Sequence, residues 1–324
     1  MKTTALALIL LAGSAGATIG TNSGLTALYI SGSEIYVTSA STNTVKIFRF
    51  SPPSTLAQVG IPASTDQEPV FISVPNPYAY VLNRGAKTLQ TFIADDNFLL
   101  PLGSVPVGFN PTSAVVRIPH ILITNSGSNS LQALDVSCNS RPVTIGRIST
   151  GSVPTSLYAE GKYAFVTCSG EDLYQIFNIG KLRWGISLTG SIKTDEGPVA
   201  SYVAGPNAFV INTIANTLQA FNVSDPVKPA ELGWVRTSVG PIAITGSGNL
   251  LFVACRFSNT LEIFDASNPA KMVLLHGIGV DYGPTAVAVN GPYAFVASHK
   301  MLQVFDVSDP LRKPPVLVAS ITVN

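Results

Sequence analysis

The sequence predicts an all-β protein, a seven-bladed β-propeller of four-stranded antiparallel blades. Three observations predict it. Seven short apolar cores recur along the chain: Ile35-Tyr36-Val37, Ala79-Tyr80-Val81, Ile121-Leu122-Ile123, Ala164-Phe165-Val166, Ala208-Phe209-Val210, Leu251-Phe252-Val253 and Ala294-Phe295-Val296. Their first residues lie 44, 42, 43, 44, 43 and 43 positions apart, a period at which propeller blades repeat. Composition is the second observation: 46% of residues are hydrophobic and only 11% are charged, against about 25% charged in an average domain. Blades that pack face to face cover their strands on both sides, and such strands read as continuous apolar runs like Tyr293-Ala-Phe-Val-Ala297. The third is that each unit divides into four strand-like segments separated by Gly, Pro, Asn and Ser.

A chain of 324 residues is long enough for two ordinary domains. The repeat points instead to one, because seven units fill positions 24 to 324 without a gap. The predicted blades run approximately over 24–66, 67–108, 109–151, 152–195, 196–238, 239–281 and 282–324, within a single domain from 18 to 324.

The N-terminus reads as a separate element. Lys2 precedes an apolar run from Ala5 to Ala12, and Ala15-Gly16-Ala17 has the small-residue pattern of a signal-peptide cleavage site. Residues 1–17 are therefore expected to be a signal peptide cleaved before Thr18, giving a protein secreted, periplasmic or on the cell surface. The run is shorter than the about 20 apolar residues that cross a bilayer as a helix, so no membrane span is expected in the mature chain. Ser14 stands where a lipoprotein would carry Cys.

Repeat seven shows the unit most clearly. Gly283 to Val289 is a first strand, Asn290-Gly-Pro292 a tight turn, Tyr293 to Ser298 a second strand, Met301 to Asp306 a third and Val316 to Val323 a fourth. In other repeats a polar turn joins the second and third strands, as in Gly127-Ser-Asn-Ser130 and Ser258-Asn-Thr260. Asn and Ser suit it because they bond the local backbone, and Asn and Gly because they tolerate positive φ. The chain begins on a first strand (Leu25 to Ile30) and ends on a fourth, a register that predicts no blade shared between the two ends.

The turn after the third strand carries a resemblance. Phe221-Asn-Val-Ser-Asp-Pro226, Phe264-Asp-Ala-Ser-Asn-Pro269 and Phe305-Asp-Val-Ser-Asp-Pro310 resemble the LVIVD repeat, with a similar layout to YVTN-type propellers. Repeat three keeps only Leu134-Asp-Val-Ser137, and repeats one, two and four depart from the motif at Phe50-Ser-Pro-Pro53, Ala94-Asp-Asp-Asn97 and Asn178-Ile-Gly-Lys181. The resemblance implies a propeller, often exported or at the cell surface, and implies no common activity. Each such turn holds at most two carboxylates, which suits backbone capping rather than a calcium loop.

Candidate site residues come from the loops that share one rim of the central channel, since ligand sites favour concave mouths. The residue after each second strand is small or polar: Ser39, Asn83, Asn125, Cys168, Asn212, Cys255 and Ser298. Arg84, Arg256 and His299 follow, with Lys87, Lys300, Asp66, Glu68, Asp195, Glu196, Asp281 and Tyr282 nearby. The binding rim is therefore placed at Asn83, Arg84, Asn125, Asn212, Arg256 and His299. Charges also collect in loops wherever strands are buried.

No catalytic residue, metal ligand or cofactor is assigned. His120, His276 and His299 fall at different places in different repeats, and no nucleophile elbow, phosphate loop or dinucleotide fingerprint occurs. The net charge of +1 argues against nucleic acid, which needs clustered cations. Cys168 and Cys255 lie in non-adjacent repeats, too far apart for a disulfide, and read as small strand-end residues; Cys138 sits in a turn and is the thiol expected at the surface. The expected function is a binding scaffold for a protein, small molecule or glycan. A lactonase- or oxidoreductase-like enzyme built around His299, and a surface-layer or matrix component, are the alternatives.

Overall fold

A computed structural model of the chain describes residues 24–95, 97–182 and 185–323. The leader expected over 1–17, and residues 18–22, lie outside the described residues. The chain forms seven four-stranded sheets, each built from consecutive strands. Blade 1 comprises β1 (Leu25–Ser31), β2 (Glu34–Ser39), β3 (Thr44–Ser51) and β4 (Thr55–Ser64). The pattern continues to blade 7, which comprises β25 (Ala286–Asn290), β26 (Tyr293–Ala297), β27 (Met301–Asp306) and β28 (Val316–Thr322). No helix among the described residues is long and apolar enough to cross a membrane.

Burial orders the strands from axis to surface. The first strand of every blade lies against the first strands of both neighbours, so these seven form the inner ring. In blade 4 the first strand is buried at every position but its last, whereas the fourth is exposed or half-exposed throughout. Third strands carry a large residue at the same position in each repeat, namely Phe48, Phe92, Leu134, Phe177, Phe221, Phe264 and Phe305, and all seven are buried. These side chains fill the wedges between blades, where removal of apolar surface from water drives the packing. Blade 7 pairs its first strand only from Ala286, three residues later than the sequence suggests, although the Thr285 amide already bonds the Ala297 carbonyl at 2.8 Å.

Among the described residues the ring closes without exchange of a strand. Blade 1 meets blade 7 through a cluster that joins Leu25, Leu28, Ile35 and Phe48 to Ala286, Phe295, Leu302 and Val304. Phe50 occupies a position filled by Ala94, Val136, Val223, Ala266 and Val307 in other blades, and the larger ring does specific work at the seam. It stands edge-on to Tyr293 (centroids 4.8 Å, 73°) and to Phe295 (5.7 Å, 84°), the arrangement that places ring edges against π faces. The Leu25 amide also donates to the His299 carbonyl across the seam at 3.3 Å.

The motif turn after the third strand has two structural tasks. Its first acidic or amide residue accepts a hydrogen bond from the amide two residues on: Asp135 from Ser137 (2.7 Å), Asn222 from Ser224 (2.9 Å), Asp265 from Ser267 (2.8 Å) and Asp306 from Ser308 (2.8 Å). These are Asx turns, and the Ser308 side chain, followed by its amide, holds the Asp306 carboxyl below its ordinary range. The turn then rests on the preceding blade. A Cβ at Gly190 in the fourth strand of blade 4 would collide with the Pro226 carbonyl of blade 5, and one at Gly233 would come 2.7 Å from the Ala270 carbonyl of blade 6. Glycine at that place lets neighbouring blades approach backbone to backbone.

Phe50→Ala is expected to destabilise the protein by about 3–5 kcal/mol, because it empties a buried aromatic site at the seam. Urea unfolding at unchanged slope would show it; a loss under about 1 kcal/mol would mean that the seam does not depend on this ring.

Candidate functional site

The rim is built from two kinds of segment: the turns between second and third strands, and the linkers that carry the chain from one blade to the next. Five of the six linkers are fixed by side chains of both blades that they join. The Gln or Glu in the third strand of the incoming blade accepts from one linker amide: Asp66 to Gln90 (3.0 Å), Gly108 to Gln132 (3.0 Å), Gly151 to Gln175 (2.7 Å), Asp195 to Gln219 (2.7 Å), Ser238 to Glu262 (3.1 Å) and Asp281 to Gln303 (2.7 Å). The turn of the outgoing blade accepts from another, two residues later: Glu68 to Asn43 (2.9 Å), Val153 to Asn129 (2.9 Å), Gly197 to Asp172 (2.8 Å), Gly240 to Asn216 (2.7 Å) and Gly283 to Asn259 (2.8 Å). These five turn residues all have φ between 43° and 57°, the left-handed region that Asn and Asp enter most readily after Gly.

This framework absorbs half of the expected site. Asn83, Asn125 and Asn212 are fully buried. Their amide nitrogens turn inward to the same glutamines that hold the linkers, with Asn212 at 2.9 Å from Gln219 Oε1, Asn125 at 3.4 Å from Gln132 and Asn83 at 3.5 Å from Gln90. Cys168 and Cys255 occupy the same niche against Gln175 and Glu262, each at 3.5 Å. The ring of small polar residues after the second strands is thus an internal brace beneath the linkers. In blade 1 the glutamine position is Lys46, which is buried and whose ammonium pKa is lowered by desolvation.

Arg84, Arg256 and His299 do reach the rim surface, each half-buried. Arg84 pairs with Glu68 at 3.5 Å. His299 packs over Gly24, and the ion pairs found among the described residues do not include it. The rim carboxylates Asp66 and Asp195 are engaged by Thr88 and Thr217, both at 2.6 Å. The rim therefore brings three cationic or titratable side chains to the surface without converging them on one acid–base pair.

What the rim presents most openly is apolar. Ile214 (58% exposed), Val239 (55%), Phe257 (73%) and Tyr282 (73%) stand on adjacent blades 5 to 7, and Phe109 stands out on blade 3 under the Lys87 ammonium, 4.5 Å from its ring centroid. The reason lies in the linker. The backbone at Val239 and Tyr282 is committed, since Val239 accepts from Phe257 (3.2 Å) and Tyr282 from His299 (3.2 Å), while the side chain points away from the braces. The same position holds Gln67, Phe109, Ser152 and Glu196 in other linkers. A place where the repeats differ in chemical class between residues that keep theirs was the available sign of a displayed position.

Comparison with known proteins defines the class. The family model of the LVIVD repeat matches residues 242–277 and 285–322, which lie in the last two blades of the seven-bladed β-propeller. No curated protein sequence matches the chain. Among solved structures, a protein from Lactobacillus plantarum is similar over 98% of this chain and 97% of its own, at 15% identity and a TM-score of 0.78. A periplasmic gluconolactonase from Pseudomonas aeruginosa is similar over 93% and 96%, at 18% identity and 0.76. A virginiamycin B lyase from Staphylococcus aureus is similar over 86% and 92%, at 12% identity and 0.66. At these identities the likeness is one of fold.

Two outcomes are expected. Val153 holds φ 54° at a linker position where blades 5, 6 and 7 use glycine, and a β-branched residue there is strained. Val153→Gly should therefore raise or leave unchanged the unfolding free energy measured in urea; a loss above about 1 kcal/mol would contradict strain at that site. For the thiols, burial pushes Cys168 up to about 12 and raises Cys255 as well. Maleimide at pH 8 should label only the exposed Cys138. Above about pH 9 an unfolded chain releases the two buried protons and the native one keeps them, so stability is full below that pH and falls as pH rises toward 12. Rapid native labelling of Cys168 would contradict the brace.

Proposed function

We propose that this propeller is a binding scaffold that takes a protein partner on the rim of linkers and second-to-third-strand turns. The observation that carries the reading is the exposed arc of Ile214, Val239, Phe257 and Tyr282 beside Arg256 and His299. Aromatic residues and arginine are the side chains that most often dominate protein interfaces. A braced rim costs little to order on binding, because its backbone is already hydrogen-bonded to two blades. The leader-like residues 1–17 favour an exported protein, whose partner would then lie outside the cytoplasm. The enzyme alternative needs a carboxylate or second histidine beside His299, and the described rim residues do not supply one.

The test is a cross-linked pull-down from the native extracellular fraction with wild type and a Phe257→Ser, Tyr282→Ser double variant. Both side chains are largely exposed, so the fold is expected to survive, which the thermal midpoint checks. Partner recovery should drop by roughly 30-fold or more if these are anchor residues. Unchanged recovery by a folded variant would remove this arc as the binding surface.

A further inference from the structure

We propose that the opposite mouth of the channel binds an acidic carbohydrate, a chain of hydroxylated rings that carry carboxylates. There the inner-strand ends of blades 3 to 7 line a cavity of about 720 Å³. Two tyrosines form part of its wall. The Tyr158 hydroxyl donates to the Val203 carbonyl at 2.9 Å, and its ring meets Tyr202 edge-on (5.8 Å, 83°). Tyr202 lies over Gly246, where a Cβ would collide with the ring. The backbone thus fixes the orientation of Tyr202 before any ligand arrives, which lowers the ordering cost of binding.

Polar groups surround this ring. The Glu160 carboxylate, the Ser247 hydroxyl and the Asn290 amide line the same cavity. Asn290 donates its nitrogen to the Gly32 carbonyl at 3.0 Å, which leaves its oxygen as an acceptor. A preset aromatic ring with separate donors and acceptors suits a ligand that has a C–H face and a hydroxylated edge, as a sugar ring has. A wholly apolar ligand would strip water from Glu160 and Arg117 without replacing it.

Charge sets the subclass. Arg117 lines this cavity and also a neighbouring pocket of about 310 Å³, whose lining adds His120 and Lys162. Arg117 and His120 are cross-strand partners on the blade 3 hairpin, and Lys162 comes from the blade 4 hairpin. The carboxylates nearby are Glu160 and Asp135, the latter a cross-strand partner of His120 that already accepts the Ser137 amide. A guanidinium, an ammonium and an imidazole spread over two pockets that share Arg117 and Gly161 fit carboxylates spaced along an oligosaccharide. A polyphosphate would concentrate its charge beside Glu160 and Asp135.

Isothermal titration calorimetry on the whole protein tests this, with tetragalacturonate as probe, its fully methyl-esterified form as neutral control and ATP as an alternative anion with an aromatic ring. Tetragalacturonate is expected to bind, and to weaken at least about tenfold on esterification and in an Arg117→Ala, Lys162→Ala double variant. Both of those side chains are exposed, so the double variant should keep the wild-type thermal midpoint. Tyr202→Ala should weaken the esterified and the acidic probe alike. The Phe257→Ser, Tyr282→Ser variant of the other rim should bind normally, which separates this outcome from the rim reading. Absence of binding, equal affinity for both oligosaccharides, full affinity in the Arg117/Lys162 variant, or tighter binding of ATP would each overturn the proposal.

Discussion

The fold depends on how one blade is handed to the next. A propeller blade alone exposes two apolar faces, and only its neighbours cover them. The covalent connection between blades is short, so its geometry decides the angle at which the next wedge begins. Here six linker amides are taken by a Gln or Glu from the incoming blade, and five further amides by an Asn or Asp from the outgoing one. Buried or half-buried amides without partners would be costly. The bonds therefore do more than add stability, since a linker in another conformation would leave them unmade. Inner-strand threonines repeat the device around the axis: Thr112 donates to the Pro154 carbonyl at 2.8 Å and Thr155 to that of Pro198 at 2.9 Å, each one blade ahead.

The same constraint separates scaffold from display. Because the braces consume the backbone of each linker, its middle side chain is free to change class without disturbing the ring. Gln67, Phe109, Ser152, Glu196, Val239 and Tyr282 are the result. On the opposite mouth the inner strands end in hairpins whose bonds between blades, such as Tyr158 to Val203 and Asn290 to Gly32, do not repeat around the ring, and the side chains there vary in size as well as charge: Tyr158 and Tyr202 on two blades, Thr245 and Gly246 on a third. That inequality opens an eccentric cavity in an otherwise regular ring. One scaffold thus offers an apolar, braced rim at one end and a polar, aromatic recess at the other.

Much of this was legible in the sequence and some was not, for physical reasons. The period of the apolar cores is a direct consequence of one blade per repeat, so blade number and strand order followed from it. The Asx turn at Asp306 and Ser308 was readable because its acceptor and donor are two residues apart. Asn83, Asn125 and Asn212 were misplaced at the binding surface because their position after a strand specifies height along the axis and not direction. Their partners lie seven residues on, as in Asn125 and Gln132 or Asn212 and Gln219, and the recurrence of that pair was the sign of an internal brace. The aromatic arc was partly hidden because Phe257 and Val239 sit in turns that otherwise read as polar. The Arg117, His120 and Lys162 grouping joins two blades, and only the packing of those blades brings it together.

The central claim is that the linkers are pinned by the glutamine and asparagine side chains that flank them. Native-state amide hydrogen exchange measures it most directly, at Asp66, Gly108, Gly151, Asp195, Ser238 and Asp281. The account predicts protection comparable to that of the inner strands, lost at Asp195 alone in a Gln219→Ala variant. Exchange at these six amides as fast as in exposed loops, or protection at Asp195 that survives the loss of Gln219, would contradict it.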